Sequence, residues 1–310
     1  MRSTTRNMIG VAATAALALG LAACGSDEGD GGGDDNAAEG DNIVVTLWHP
    51  HWAYDEFPIR DLEDPEGALG EAEEIHTFGR TGFAEDYPQL AEWIGDFTLS
   101  DEQLASLENL MLNENDGEQN EESAAQWLEE NPDWVEATVG SSEPQDTADD
   151  MTELSIGMPA GWDEGVAVSH LWKAMLEDFG YTVNAEDADI GVIFTSLAGD
   201  GGYELLFDGW LPTTHADYYE QYGDQIEDLG IWYDEATLNI AVNEDAPIDS
   251  LDELADNADA FGNRIVGIDP GAGLTRITED EVIPTYGLED MEFVTSSTSA
   301  MLAELTSATS

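Results

Sequence analysis

The hydrophobic and polar positions of this chain change period twice, and each change predicts a different element. Ile43 to Trp48 is a short continuous apolar run, read as a buried strand that leads straight into Trp48-His49-Pro50-His51-Trp52. Ser100 with Gln103 has the spacing of a capping box. The helix it opens places Leu104, Leu107, Leu110 and Met111 on one face. A second helix is expected over about Glu121 to Glu130, stopping near Asn131-Pro132 because proline disfavours helix in the residue before it. Residues 140–150 are polar and aperiodic, which reads as a linker.

Beyond residue 150 the pattern becomes a strand–helix alternation. Strands are expected at Leu154 to Met158, Tyr203 to Phe207, Thr237 to Val242, Arg264 to Ile268 and Met291 to Thr295. Gly161-Trp162-Asp163-Glu164-Gly165 reads as a turn. The helix after it, from about Glu164 to Asp178, is lined by Ala167, Leu171, Met175 and Leu176. Asp269-Pro270-Gly271-Ala272-Gly273 leads into a further helix, and Thr298 begins a last one that runs to the end of the chain. Such alternation predicts an α/β fold with largely parallel sheets. No internal repeat is evident.

Ahead of these elements lies a segment of another kind. Arg2 and Arg6 precede an apolar, alanine-rich run from Met8 to Ala23, too short for a confident membrane span. It ends in Leu21-Ala22-Ala23-Cys24, which resembles a bacterial lipoprotein signal whose cysteine is lipidated after cleavage. Residues 1–23 are thus expected to be a signal peptide. Residues 24–41, rich in Gly, Asp, Glu and Ala, are expected to be a flexible tether. Cys24 is the one cysteine, so no intramolecular disulfide can form.

Charge narrows the function classes. The 310 residues carry 69 Asp and Glu against 7 Lys and Arg, a formal net charge of -62. A nucleic-acid partner is excluded, since phosphate binding needs cations. Electrostatic adhesion to anionic lipid is disfavoured as well. The acids are spread along the whole chain, as expected of a surface kept soluble in high salt, where repulsion is screened.

The tryptophans carry the candidate chemistry. Trp93, Trp127, Trp134 and Trp172 are read as packing residues. Trp48, Trp162 and Trp210 each sit just past an expected strand, in a loop with Gly or Pro nearby. Ligands of open α/β sheets bind beyond the carboxyl ends of strands, so the three are expected to share an aromatic pocket. Indole faces suit a quaternary ammonium, a cation without an N–H donor, at about 2 kcal/mol or more when desolvated. A ligand carboxylate would then need donors. The candidates are the helix-start amides after Gly271-Ala272-Gly273 and the histidines His215 and His51.

Taken together, Trp162 to Gly165, Gly209-Trp210-Leu211-Pro212-Thr213-Thr214-His215, Gly267 to Gly273, Ser296 to Met301 and Trp48 to Trp52 resemble the glycine betaine-binding proteins of bacterial ABC importers. The resemblance implies a two-lobed periplasmic-binding-protein-like fold of type II, with the ligand in the cleft between the lobes. Trp48, Trp162 and Trp210 match the tryptophans that box the trimethylammonium group. Gly273 and Leu274 match the carboxylate-binding amides, and His215, with His51 second, the histidine. It also implies a permease and an ATPase as partners and a site on the outer face of the membrane, held there by the lipid anchor.

One feature departs from the family: the Trp48 segment, late in many members, comes first here. The chain therefore reads as a circular permutation, with residues 139–151 joining the usual termini; a truncated tandem gene is the alternative. One lobe is expected to combine 42–59 with 243–310 and the other 60–138 with 152–242. A domain-swapped dimer would satisfy the same contacts.

An enzyme would need an activated nucleophile or an acid–base pair. No HExxH, GxSxG or Walker pattern occurs, and acids are so frequent that any carboxylate spacing arises by chance. No catalytic residue, cofactor or metal is expected. The competing readings are a receptor for choline, carnitine or proline betaine, and a non-transport surface lipoprotein with a degenerate site.

Overall fold

The computed structural model describes residues 42–115, 117, 119–140, 152–199 and 202–309. The expected signal peptide and the tether with Cys24 lie outside the described residues, as do residues 141–151 of the expected linker. Val139 and Gly140, also assigned to that linker, instead close the helix Pro132–Val139.

Among the described residues the strands are β1 (Val44–His49), β2 (Ile59–Asp61), β3 (Glu73–Arg80), β4 (Glu153–Pro159), β5 (Thr182–Ala188), β6 (Leu205–Leu211), β7 (Ile226–Asn243), β8 (Arg264–Gly267) and β9 (Glu292–Thr295). They pair in the order β5-β4-β6-β3-β7-β1-β8-β9, with β2 also on β7. The mixed α/β class agrees with the sequence reading. Parallel pairing is limited to β4 with β5 and β6, and to β8 with β1 and β9. At the centre β3 and β7 pair antiparallel with their neighbours.

The strand β7 is the structural link. Its residues 226–236 pair with β3, while 237–242 pair with β1 and 241–243 with β2. A single strand thus passes from one sheet into the other, and the change of partner falls between Ala236 and Thr237. The sequence boundary at 242/243 lies later than this, because only the apolar second half of β7 was legible as a strand. The boundary at 59/60 also cuts a ladder, since Arg60 and Asp61 belong to β2 beside β7.

Local signals account for several elements. Ser100 Oγ accepts from Gln103 N (3.4 Å) and Gln103 Oε1 accepts from Ser100 N (3.0 Å), the reciprocal capping box of helix Asp101–Glu108. Pro132 stands in the first turn of the following helix, where its missing N–H costs nothing. Around β6 the core is aromatic: the Phe97 ring meets Trp172, Phe207 and Trp232 at 5.1, 6.2 and 6.1 Å. Trp232 donates to the Phe207 carbonyl at 2.6 Å, so its buried N–H is satisfied.

The two ends of the described chain meet on one side chain. Asn243, at the end of β7, accepts from Ile43 N (2.8 Å) and donates to the Ala308 carbonyl (3.3 Å). The start of β1 and the end of helix Thr298–Thr309 are therefore neighbours.

Candidate binding site

Trp48, Trp162 and Trp210 line one cavity, together with Glu164, Thr214 and Leu274. Leu238, Ile268 and Ala272 complete its wall. The three indoles are 3%, 6% and 2% exposed, so their faces are largely desolvated. Only Trp162 occupies a turn, just before helix Asp163–Asp178. Trp48, expected at the end of a strand, and Trp210, expected in a loop past one, both lie inside strands. Trp48 pairs with Leu238 in β1, and Trp210 with Ile75 in β6. The strand expected to end at Phe207 continues through Asp208-Gly209, because β3 supplies a ladder partner that local composition could not foretell.

His215 is buried beside the box. Its ring stacks on Trp162 with centroids 5.5 Å apart and planes 4° from parallel. Nδ1 accepts from Trp210 N at 2.8 Å, which assigns the ring proton to Nε2, and Nε2 has no partner. Burial, with Arg276 nearby, lowers its pKa to about 3, so the ring is a neutral N–H donor.

His51 is differently used. It meets Trp48 edge-on at 4.7 Å, its Nδ1 accepts from Ala53 N (3.1 Å), and its Nε2 lies 3.6 Å from Asp163 Oδ2. It backs Trp48 and is not among the cavity-lining residues. Burial also keeps it neutral, with a pKa of about 3.

Gly273 and Leu274 begin helix Gly273–Ile277, which follows β8. Leu274 faces the cavity, whereas Gly273 lies against the Trp210–His215 loop. A Cβ at Gly273 would stand 2.3 Å from the Thr214 carbonyl oxygen, so only glycine lets these two backbones approach.

Four supporting charges escaped the sequence reading. Glu73 of β3 accepts from Thr213 N (2.7 Å), Thr214 N (2.8 Å) and Thr214 Oγ1, fixing the loop before His215. Arg276, in the helix Gly273–Ile277, donates to the Thr213 carbonyl (3.3 Å). Glu164 accepts from Trp48 Nε1 at 2.9 Å, and Asp208 accepts from Trp210 Nε1 at 2.7 Å. Burial raises the Asp208 pKa to about 7, and raises that of Glu164 through burial and the nearness of Asp208. Both acids flank tryptophans in the segments that carried the resemblance, but among 69 acidic residues neither stood out.

A family model described as the substrate binding domain of ABC-type glycine betaine transport systems matches residues 34–130 and 152–310. The chain belongs to this family. The glycine betaine/carnitine transport binding protein GbuC of Listeria monocytogenes (serotype 1/2a, strain 10403S) is 33% identical over 200 residues, which is 64% of each chain. An uncharacterized protein, ORF1, of Chromohalobacter salexigens is 26% identical over 36% of this chain and 74% of its own length. The chain thus spans less than two thirds of the Listeria relative. Among solved structures, the glycine betaine, L-proline-binding protein ProX of Borrelia burgdorferi matches at 30% identity and a TM-score of 0.43, over 50% of this chain and 58% of its own. Lactococcal OpuAC, in its closed form complexed with glycine betaine, matches at 25% identity and 0.40, over 51% and 60%. The family is one of transport substrate-binding domains. Among the described residues no helix is long and apolar enough to cross a membrane, and no group of three or more His, Cys, Asp or Glu could hold a metal ion.

Proposed function

We propose that this chain is an extracytoplasmic receptor that binds glycine betaine, or a related quaternary-ammonium solute, and delivers it to the permease and ATPase of an ABC importer. The observation that carries the reading is the convergence of Trp48, Trp162 and Trp210, from three remote segments, on one apolar cavity. The indole faces would surround the trimethylammonium group. The Nε2–H of neutral His215 would serve the carboxylate, with the amides of Gly273 and Leu274 as further donors. The cavity is about 20 Å³, the scale of one water molecule, so its walls must part for the ligand to enter. The protein acts by binding and release, without catalysis.

Lipidation at Cys24 would hold the receptor on the outer face of the membrane; two acyl chains anchor stably where one is marginal. Cys24→Ala should abolish metabolic labelling with palmitate, and undiminished labelling would refute the anchor. Circular permutation is supported by Asn243, which joins the segments at the two ends of the described chain. The family match in two blocks, interrupted at 131–151, fits a joining segment there.

Calorimetric titration with glycine betaine, choline and carnitine tests the reading. Stoichiometric binding without turnover is expected, with His215→Ala weakening betaine more than choline, which lacks the carboxylate. Absence of binding by all three would refute it.

A further inference from the structure

We propose that Glu164 and Asp208 are positioning residues of the indole cage: each anchors one tryptophan by its ring N–H, and the negative charge of ionised Asp208 beside Trp210 draws a quaternary cation into the box. The cation half rests on the receptor reading above; the anchoring half rests on geometry alone.

The anchoring is specific to the ring edge. Trp48 Nε1 donates to Glu164 Oε2 and Trp210 Nε1 to Asp208 Oδ1, at 2.9 and 2.7 Å. An N–H bond to a carboxylate fixes the rotation of the indole and adds electron density to the ring, which strengthens its negative face. Trp48 and Trp210 come from different sheets, so the two acids set the relation between two cage walls.

The placement of the acids is costly, which argues for a purpose. Glu164 is 1% exposed and Asp208 fully buried. No Lys or Arg among the described residues forms an ion pair with either, and Asp208 Oδ2 has no hydrogen-bond partner. A buried, unpaired carboxylate is strongly disfavoured. Space has also been made for it: a Cβ on Gly165 would lie 2.3 Å from Asp208 Oδ2. Asp208 is thereby seated on the first turn of helix Asp163–Asp178, whose dipole favours an anion.

The charged groups around the pair leave a defined pH window. Asp163 and Glu164 come from one helix, Glu108 from helix Asp101–Glu108, and Asp55 from the segment after β1, and all are acidic. His51, in the segment after β1, backs Trp48, and His215, in the loop after β6, stacks on Trp162 with Arg276 near it. Both histidines stay neutral near pH 7. Asp208, raised to about 7, therefore gains charge as pH rises through neutrality, while burial and the nearness of Asp208 hold Glu164 well above the usual carboxylate range. A cation in the box favours that ionised form, so its affinity should rise with pH.

The test titrates choline and glycine betaine into the full chain calorimetrically from pH 5.5 to 8.5. In parallel, the indole N–H resonances of the ligand-free protein are followed by NMR. Wild-type affinity for choline should rise roughly tenfold over this range, the scale of one charge acting through a partly polar interior. Asp208→Asn keeps an acceptor for Trp210 Nε1 but no charge, so its profile should be flat at the wild-type low-pH value. Asp208→Ala should fall below Asp208→Asn by up to about tenfold at every pH, about the worth of one neutral hydrogen bond to Trp210 Nε1. The Trp210 N–H resonance should titrate in the wild type and not in Asp208→Asn. Gly165→Ala should shift that resonance by displacing Asp208. A flat wild-type profile and a Trp210 resonance that does not titrate, in a protein that binds betaine, would overturn the proposal and leave the receptor reading intact. A titrating resonance with no binding of either ligand would overturn the receptor reading, and with it the cation half, while the anchoring stands.

Discussion

Removal of the Trp162 indole is the most direct test of the cage. Trp162 sits on a turn before helix Asp163–Asp178 and stacks on His215, so it touches both the cation end and the expected carboxylate end of the site. In a desolvated box the cation–π attraction of one indole is about 1–2 kcal/mol. Roughly 40 Å² of ring face covered by the ligand adds about 1 kcal/mol at about 25 cal/mol per Å². The sum, about 2–3 kcal/mol, is a loss of roughly 30- to 150-fold in affinity at 1.4 kcal/mol per decade. Trp162→Phe keeps a smaller face and the stack on His215, and should recover part of that loss. Because the ring is 6% exposed, Trp162→Ala should also cost about 3–5 kcal/mol of stability, so melting and calorimetric titration are run on the same samples. Trp127→Ala is the control. That ring is buried among helices and donates to Ser106 Oγ at 2.7 Å, so its loss should lower stability and leave the affinity of the folded protein nearly unchanged. Wild-type affinity in Trp162→Ala, or equal losses in Trp162→Ala and Trp127→Ala, would refute the cage.

Other expectations concern stability. In the folded chain the Asp208 carboxyl is raised to about 7, against about 4 when unfolded. The folded state then binds more protons, so this group's stabilisation is complete below about pH 4 and is lost as pH rises to about 7. The unfolding free energy of Asp208→Asn relative to wild type should therefore climb between pH 4 and 7 and level off above, by an amount on the order of a few kcal/mol, read from denaturant titrations at each pH; a difference constant with pH would refute the burial argument. With a net charge of -62, the wild-type melting temperature should rise with NaCl as the screening length shrinks from about 30 Å at 0.01 M to about 3 Å at 1 M. A melting temperature independent of salt would show that the acids do not repel across the surface. Asn243→Ala should cost about 1–3 kcal/mol by leaving Ile43 N and the Ala308 carbonyl unpaired, with betaine affinity unchanged. Unaltered melting would remove Asn243 as the joint between the two ends.

What the sequence determined by itself was whatever local spacing or a distinctive side chain encodes. Ser100 and Gln103 formed the capping box because both of its bonds are made within four residues. The apolar face at Leu104, Leu107, Leu110 and Met111 is buried as its helical spacing implied. Trp48, Trp162 and Trp210 could be singled out from nine tryptophans by their place at strand ends, and the fold brings the three to one cavity. Tertiary structure alone decided the rest. The β3 strand and the first half of β7 carry Gly, Glu and Asp and show no clean alternation, and become strands by pairing with each other and, for β3, with β6. Trp210 was assigned to a loop because a ladder needs its partner to be seen. The roles of Glu73, Glu164 and Asp208 were hidden for a related reason. In a chain this acidic a carboxylate is distinguished only by being taken out of water, and burial is a property of the packed fold, not of the neighbouring residues in sequence.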